Sequence, residues 1–155
     1  MIAKSIGISP EKLEKAIEPM ERVYAVVDHT RCLAYMLGDG IIPSNVKSGY
    51  LARLVIRRAL RLMKELGLDL PIADLVEMQI SRLDYPDWEE RFVTVREILT
   101  QEEQKYAETL EKGKRLVKKS AEHFKKLGQA VPLAEMIALY DTHGIPPEIA
   151  RASAE

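Results

Sequence analysis

Residues 38–66 read GDGIIPSNVKSGYLARLVIRRALRLMKEL, a loop of turn-forming residues that runs into a helix with two chemically different faces. At about 100° per residue, Leu51, Val55, Ala59, Leu62 and Leu66 fall on one stripe, and Arg53, Arg57, Arg61 and Lys64 fall on the opposite side. One face can enter a core. The other can present guanidinium forks, whose planar geometry suits phosphate oxygens. A row of cations is equally what an ordinary solvated helix face looks like, so the spacing by itself leaves both readings open.

The loop in front of the helix adds a second feature. Ser48 is the predicted N-cap, with the helix beginning at Gly49 or Tyr50 and Gly67 as its C′ residue. Asn45 then lies just outside the helix start. Its amide carries both a donor and an acceptor, as reading a base edge requires, although an Asn in such a loop can also bond its own backbone as a turn residue.

Working outward, Ser9-Pro10-Glu11 predicts a helix start with Ser9 as N-cap, and Pro19 is expected to separate that short helix from the next. Val23, Val26, Val27, Leu33, Ala34 and Leu37 recur at helical spacing until Gly38-Asp39-Gly40 stops them. Cys32, the single cysteine, is read as a small core residue of that helix, and it excludes an internal disulfide. Pro71 opens a helix to about Leu83 built on Ile72, Leu75, Val76, Met78 and Ile80. From Trp88 to about Leu127 the chain is heavily charged and nearly free of breakers, so a long helix with a bend or break near Gly113 is expected. Charges such as Glu102, Glu103, Lys105, Glu108, Glu111 and Lys112 read there as a solvated face. Gly128 ends that helix, Pro132 starts another through Tyr140, and a Pro-initiated helix follows Asp141-Thr142-His143-Gly144. No strand pattern emerges. The expected fold is all-α, a multi-helix bundle with a long and possibly bent charged helix, in one domain over residues 1–155.

Composition narrows the function classes. With 23 basic against 24 acidic residues the formal net charge is −1, so any nucleic-acid binding has to be local. No apolar run approaches the roughly eighteen residues of a membrane span and no signal-peptide core opens the chain, so a cytoplasmic protein without membrane contact is expected. His29, His123 and His143 lie far apart, with no HxxxH, HExxH or Cys/His cluster, which argues against a metal site. GxxxxGK[ST], GxGxxG and GxSxG are all absent, leaving phosphate-loop, dinucleotide and serine-hydrolase chemistry without support.

Three separated stretches, VVDHTRCLAYML, DGIIPSNVKSGYLARLVIRRALR and, about eighty residues later, ALYDTHGIPPE, together resemble the tRNA-recognition region of alanyl-tRNA synthetases, most closely the archaeal form. The resemblance runs over nearly the whole chain from about residue 20. It implies a recognition module that binds the acceptor stem of alanine-specific tRNA, and not DNA, beside the catalytic domain of the same enzyme. ATP and magnesium in that catalytic domain, and zinc in the editing domain, are implied for those domains; this chain holds none of their motifs and is expected to carry no catalytic residue and no cofactor. Carried over by motif, the reading of the stem's G·U wobble pair falls on Asn45 and Asp141, approaching from opposite grooves. A G·U pair leaves a guanine amine unpaired in the minor groove, which an aspartate can accept from, and displaces a uracil carbonyl into the major groove, where an asparagine can donate. Asp141 before a glycine turn also suits a local cap. Lys47, Arg53, Arg57, Arg58, Arg61 and Lys64 are the candidates for backbone contacts, some of the arginines being free alternatively to pair with acids of the long helix. A non-specific helical RNA binder and a helical protein-interaction scaffold are the competing readings.

Overall fold

The structure is a computed structural model and describes residues 5–82 and 87–137. The described residues form helices and no strand, as the helical periodicity predicts. They are α1 (Pro10–Gly38), α2 (Lys47–Glu65), α3 (Ile72–Ile80) and α4 (Trp88–Lys126), followed by a helical stretch over residues 133–137. Two compact units separate at Glu103, Met1–Glu103 and Gln104–Glu155.

In the first unit α1 packs against both α2 and α3. Leu33 and Leu37 of α1, Ile56 and Met63 of α2, Ile72 and Val76 of α3, and Phe92, Val95 and Leu99 of α4 meet in one core. Each such side chain taken fully out of water contributes about 1.5–3 kcal/mol before its ordering entropy is counted. Thr30 is buried there without loss, because its hydroxyl donates to the Val26 carbonyl at 2.9 Å and accepts from the Gln79 amide of α3 at 3.4 Å. Polar clamps close the rim: Arg22 of α1 meets Glu65 of α2 at 3.0 Å, Arg91 of α4 donates to the Gly38 carbonyl at 3.0 Å, and Arg96 of α4 bridges Asp74, at 2.9 Å, and Glu77 of α3.

Several expectations change. Pro19 does not divide the first helix; α1 runs through it, with Ser9 capping the Lys12 amide as anticipated. The missing N–H removes one hydrogen bond, and the core-facing residues beyond it hold the helix in place. Cys32 is exposed and lies 3.6 Å from the Met36 sulfur, because Leu33, Ala34 and Leu37 occupy the core side of α1. The helix continues through Gly113 without a break, since an interior glycine costs only about 1 kcal/mol relative to alanine and good helix formers flank it. Gly67 does take the left-handed conformation (φ 68°) that ends α2, with the Leu68 amide reaching back to the Met63 carbonyl at 2.9 Å.

The buried stripe of α2 is Ala52, Ile56, Ala59 and Met63, whereas Leu51 is 50% exposed. Relative to the expected stripe the helix is rolled by roughly 70° toward its arginine row at 100° per residue. Small side chains at 52 and 59 allow a close approach to neighbouring helices, and the larger Leu51, Val55 and Leu62 are left to flank the contact.

In the second unit, α4 ends in the same manner as α2, with Gly128 at φ 65° and the Gln129 amide bonding the Phe124 carbonyl at 3.0 Å. Ser120 donates to Glu135 at 3.1 Å, tying the following helical stretch back to α4.

His29 of α1 is half-buried, and burial holds its pKa below the ordinary histidine value; the positive charge of Arg58 on α2 acts in the same direction and Asp28 opposes it. The unfolded chain therefore takes up this proton more readily than the folded one, so stability is lost as pH falls through about 6.5 and is kept above it. His29→Gln should flatten the dependence of the urea midpoint between neutral pH and about pH 5.5. Equal slopes in the two proteins would show that His29 is not the group responsible.

Candidate functional site

The loop before α2 is held against the helix by its own polar groups. Ser44 Oγ donates to the Val46 carbonyl at 3.0 Å and accepts from the Val46 amide at 3.3 Å, and the Ser44 amide bonds the Gly49 carbonyl at 3.0 Å. The predicted Ser48 cap is not formed. Helix α2 begins earlier, at Lys47, with Val46 in the cap position and no side-chain cap bond. Lys47 itself sits in the left-handed region at φ 50°, an uncommon choice for a side chain with a Cβ. Gly49 is buried under the loop: a Cβ there would stand 2.2 Å from Ser44 Oγ and 2.5 Å from the Ile42 carbonyl oxygen.

Asn45 is exposed at the tip of this loop, and it is not a turn residue bonded to its own backbone. Its Oδ1 accepts a hydrogen bond from Arg53 Nη1, two turns along α2. Arg53 Nη2 also donates to the Pro43 carbonyl at 3.3 Å. The far side of the same guanidinium meets Glu102 of α4 in a bidentate pair, Nε to Oε2 at 2.8 Å and Nη2 to Oε1 at 3.0 Å. Arg53 thus spans three elements at once. Its side chain is 19% exposed and that of Glu102 only 5%, so the pair is largely withdrawn from solvent. Glu102 was expected on a solvated face and instead occupies the core side of α4.

The other predicted cations distribute around the outer side of α2. Arg58, Arg61 and Lys64 are exposed and Arg57 is half-buried. Arg61 lies 3.7 Å from Glu65, one turn on. Lys47 is exposed beside Asn45. The structure therefore gathers Asn45, Lys47 and the α2 cations around one loop and helix, and engages Arg53 inside the protein. Asp141 lies outside the described residues. Among the described residues no cluster of three or more His, Cys, Asp or Glu is placed to hold a metal ion, and no helix is long and apolar enough to cross a membrane.

Glu102 is the residue that reading by composition passed over, yet the sequence carries its signal. Phe92, Val95, Leu99 and Glu102 follow the i, i+3, i+7, i+10 spacing of one buried stripe, and an acid at such a position calls for a partner. Arg53, turned to the flank of α2 by the roll of that helix, is the partner.

The fold can do three things chemically: donate through an exposed loop amide, hold that amide by a braced guanidinium, and offer several cations on the adjoining helix face. The family model for class II (A) tRNA synthetases matches residues 1–155. The chain is 67% identical to an alanine–tRNA ligase of Methanothrix thermoacetophila over 99% of its own length and 17% of that protein. It is 56% identical to that of Methanococcoides burtonii over 99% and 17%, and 51% identical to that of Methanothermobacter thermautotrophicus over 95% and 17%. It thus spans about a sixth of the length of these relatives. With the whole chain matched, and at this level of identity to the archaeal alanine-specific enzymes, the chain belongs to the class II (A) tRNA synthetases.

Proposed function

We propose that this chain is the part of an alanine–tRNA ligase that binds the acceptor stem of alanine-specific tRNA and reads its G·U wobble pair, beside a catalytic domain elsewhere in the longer protein and in the cytoplasm. The observation that carries the reading is the exposed Asn45 amide at the mouth of a basic helix, in a chain whose relatives are alanine–tRNA ligases. Asn45 donates into the major groove, while Arg57, Arg58, Arg61, Lys47 and Lys64 hold the phosphate backbone without reading sequence. Helical RNA has a major groove too narrow for most side chains, but near a stem end it opens enough for a loop residue to enter. Asp141 accepts from the guanine amine on the minor-groove side. ATP, magnesium and zinc chemistry belongs, in this reading, to other parts of the enzyme.

Competition binding with two hairpin stems that differ only in G·U against G·C tests the proposal. The G·U stem should bind more tightly, and Asp141→Ala should remove about 1–3 kcal/mol of that preference, with Asn45→Ala acting in the same direction. Equal binding of both stems by the wild-type chain would leave a non-specific RNA binder, and binding of neither would leave a protein-interaction scaffold.

A further inference from the structure

Resting on the reading just given, we infer that Arg53 is a positioning residue for base recognition: braced by Glu102, it fixes the amide of Asn45 so that nitrogen, and not oxygen, is presented to the RNA.

The orientation follows from donor and acceptor counting. A guanidinium has only donors, so the group of Asn45 that faces Arg53 Nη1 has to be the carbonyl oxygen. That contact settles the amide flip. It leaves the two N–H donors of Nδ2 on the other side of an exposed side chain, with no hydrogen bond from Nδ2 among the described residues. The displaced uracil carbonyl of a wobble pair is an acceptor, so a donor is what the major-groove side of the pair demands. An amide free to flip would present its oxygen to that carbonyl part of the time, and binding would have to exclude that state. Holding the flip beforehand removes this ordering cost from binding.

Arg53 can hold the amide only if Arg53 is itself held. Its Nε and Nη2 meet both oxygens of Glu102 at 2.8 and 3.0 Å, and Nη2 also meets the Pro43 carbonyl at 3.3 Å. Glu102 lies on the core stripe of α4 beside Leu99, so it does not follow the loop. A planar fork is required for this arrangement. It joins an acid on one edge to an amide on another, a geometry that a lysine ammonium, a single point charge, does not reproduce. The same withdrawal distinguishes Arg53 from Arg58 and Arg61, which are exposed on the helix surface.

The test is equilibrium binding of the 155-residue chain to the G·U and G·C stems for wild type, Asn45→Ala, Arg53→Lys and the double variant, with the order parameter of the Asn45 side-chain amide measured by nitrogen-15 relaxation in the absence of RNA. Arg53→Lys should reduce the ratio of the two affinities by about tenfold, the double variant should reduce it no further than Asn45→Ala does, and the Asn45 amide should pass from rigid to mobile. A preference for G·U that survives Arg53→Lys overturns this inference alone. A loss of equal size on both stems overturns it too, since it makes Arg53 a phosphate ligand. A wild-type chain that binds both stems equally overturns the functional reading and this inference with it. Should Arg53→Lys fail to fold by circular dichroism, Glu102→Gln takes its place in the same measurements, and a mobile Asn45 amide in the wild type overturns the inference without any variant.

Discussion

Glu102→Ala should lower the stability of the chain by about 3 kcal/mol, the lower end of what removing one partner of a buried ion pair costs. The charge left behind is that of Arg53, 19% exposed and within reach of the Pro43 carbonyl, which tempers the loss without cancelling it. For a unit of this size, a change of that magnitude lowers the thermal midpoint by roughly 10–20 °C. Replacing both partners, Glu102→Leu with Arg53→Met, should recover much of the loss, because a well-packed apolar pair dispenses with the desolvation of two charges. Thermal unfolding followed at 222 nm measures all three proteins. A Glu102→Ala protein within about 0.5 kcal/mol of wild type, the range of ordinary surface substitutions, would show that the pair is as weak as an exposed one. The double variant carries a further consequence: a chain as stable as wild type that no longer holds Asn45 would separate the structural part of this pair from its part in recognition.

Helices are the part of this fold that periodicity makes plain. The 3.6-residue period places Leu33, Ala34 and Leu37, or Ile72, Val76 and Ile80, on buried faces because each helix can bury only one side, and the structure buries them. Glycine stops were equally legible, since the left-handed turn after α2 suits a residue without a Cβ. What periodicity does not determine is the roll of a helix when apolar residues cover more than half of it. In α2, Leu51, Val55, Leu62 and Leu66 mark one apolar stripe and Ala52, Ile56, Ala59 and Met63 another, and packing buried the second, with its alanines at 52 and 59. Pro19 illustrates the opposite limit. A local penalty of a few kcal/mol was outweighed by the tertiary contacts of the residues that follow it.

The candidate site was legible as a set of residue types and not as a set of partners. Asn45 and the cations could be named from the loop and the two-faced helix, because exposure and charge are local properties. Which arginine turns inward depends on where α4 lies, and α4 is more than thirty residues away in sequence. The roll of α2 brings Arg53 to the flank of the contact, and Glu102, an acid on an apolar stripe, meets it there. Arg57 and Arg61 differ from Arg53 in nothing but position on the helix.

Gly49→Ala, in the first turn of α2, should be a damaging single-methyl change. In most helix interiors alanine is the better residue by about 1 kcal/mol, and here that gain is set against a collision. The added Cβ would stand 2.2 Å from Ser44 Oγ, 2.9 Å from Ser44 Cβ and 2.5 Å from the Ile42 carbonyl oxygen. Ser44 cannot simply turn away, because its hydroxyl bonds both the amide and the carbonyl of Val46 and its own amide bonds the Gly49 carbonyl. The loop therefore has to lift from the helix start, at a net cost of about 1–3 kcal/mol typical of overpacking, and Asn45 moves with it. Pairing the change with Ser44→Gly removes two of the three close atoms and should restore only part of the stability, since the Ile42 carbonyl remains. Gly67→Ala offers the contrast: no atom lies within 4 Å of its added Cβ, and only the strain of a left-handed alanine, about 1–2 kcal/mol, is expected there. Urea unfolding of the four proteins ranks them, and amide chemical shifts of residues 42–49 report whether the loop has moved. Unchanged shifts in a Gly49→Ala protein of wild-type stability would mean that the loop does not rest on the helix at this glycine.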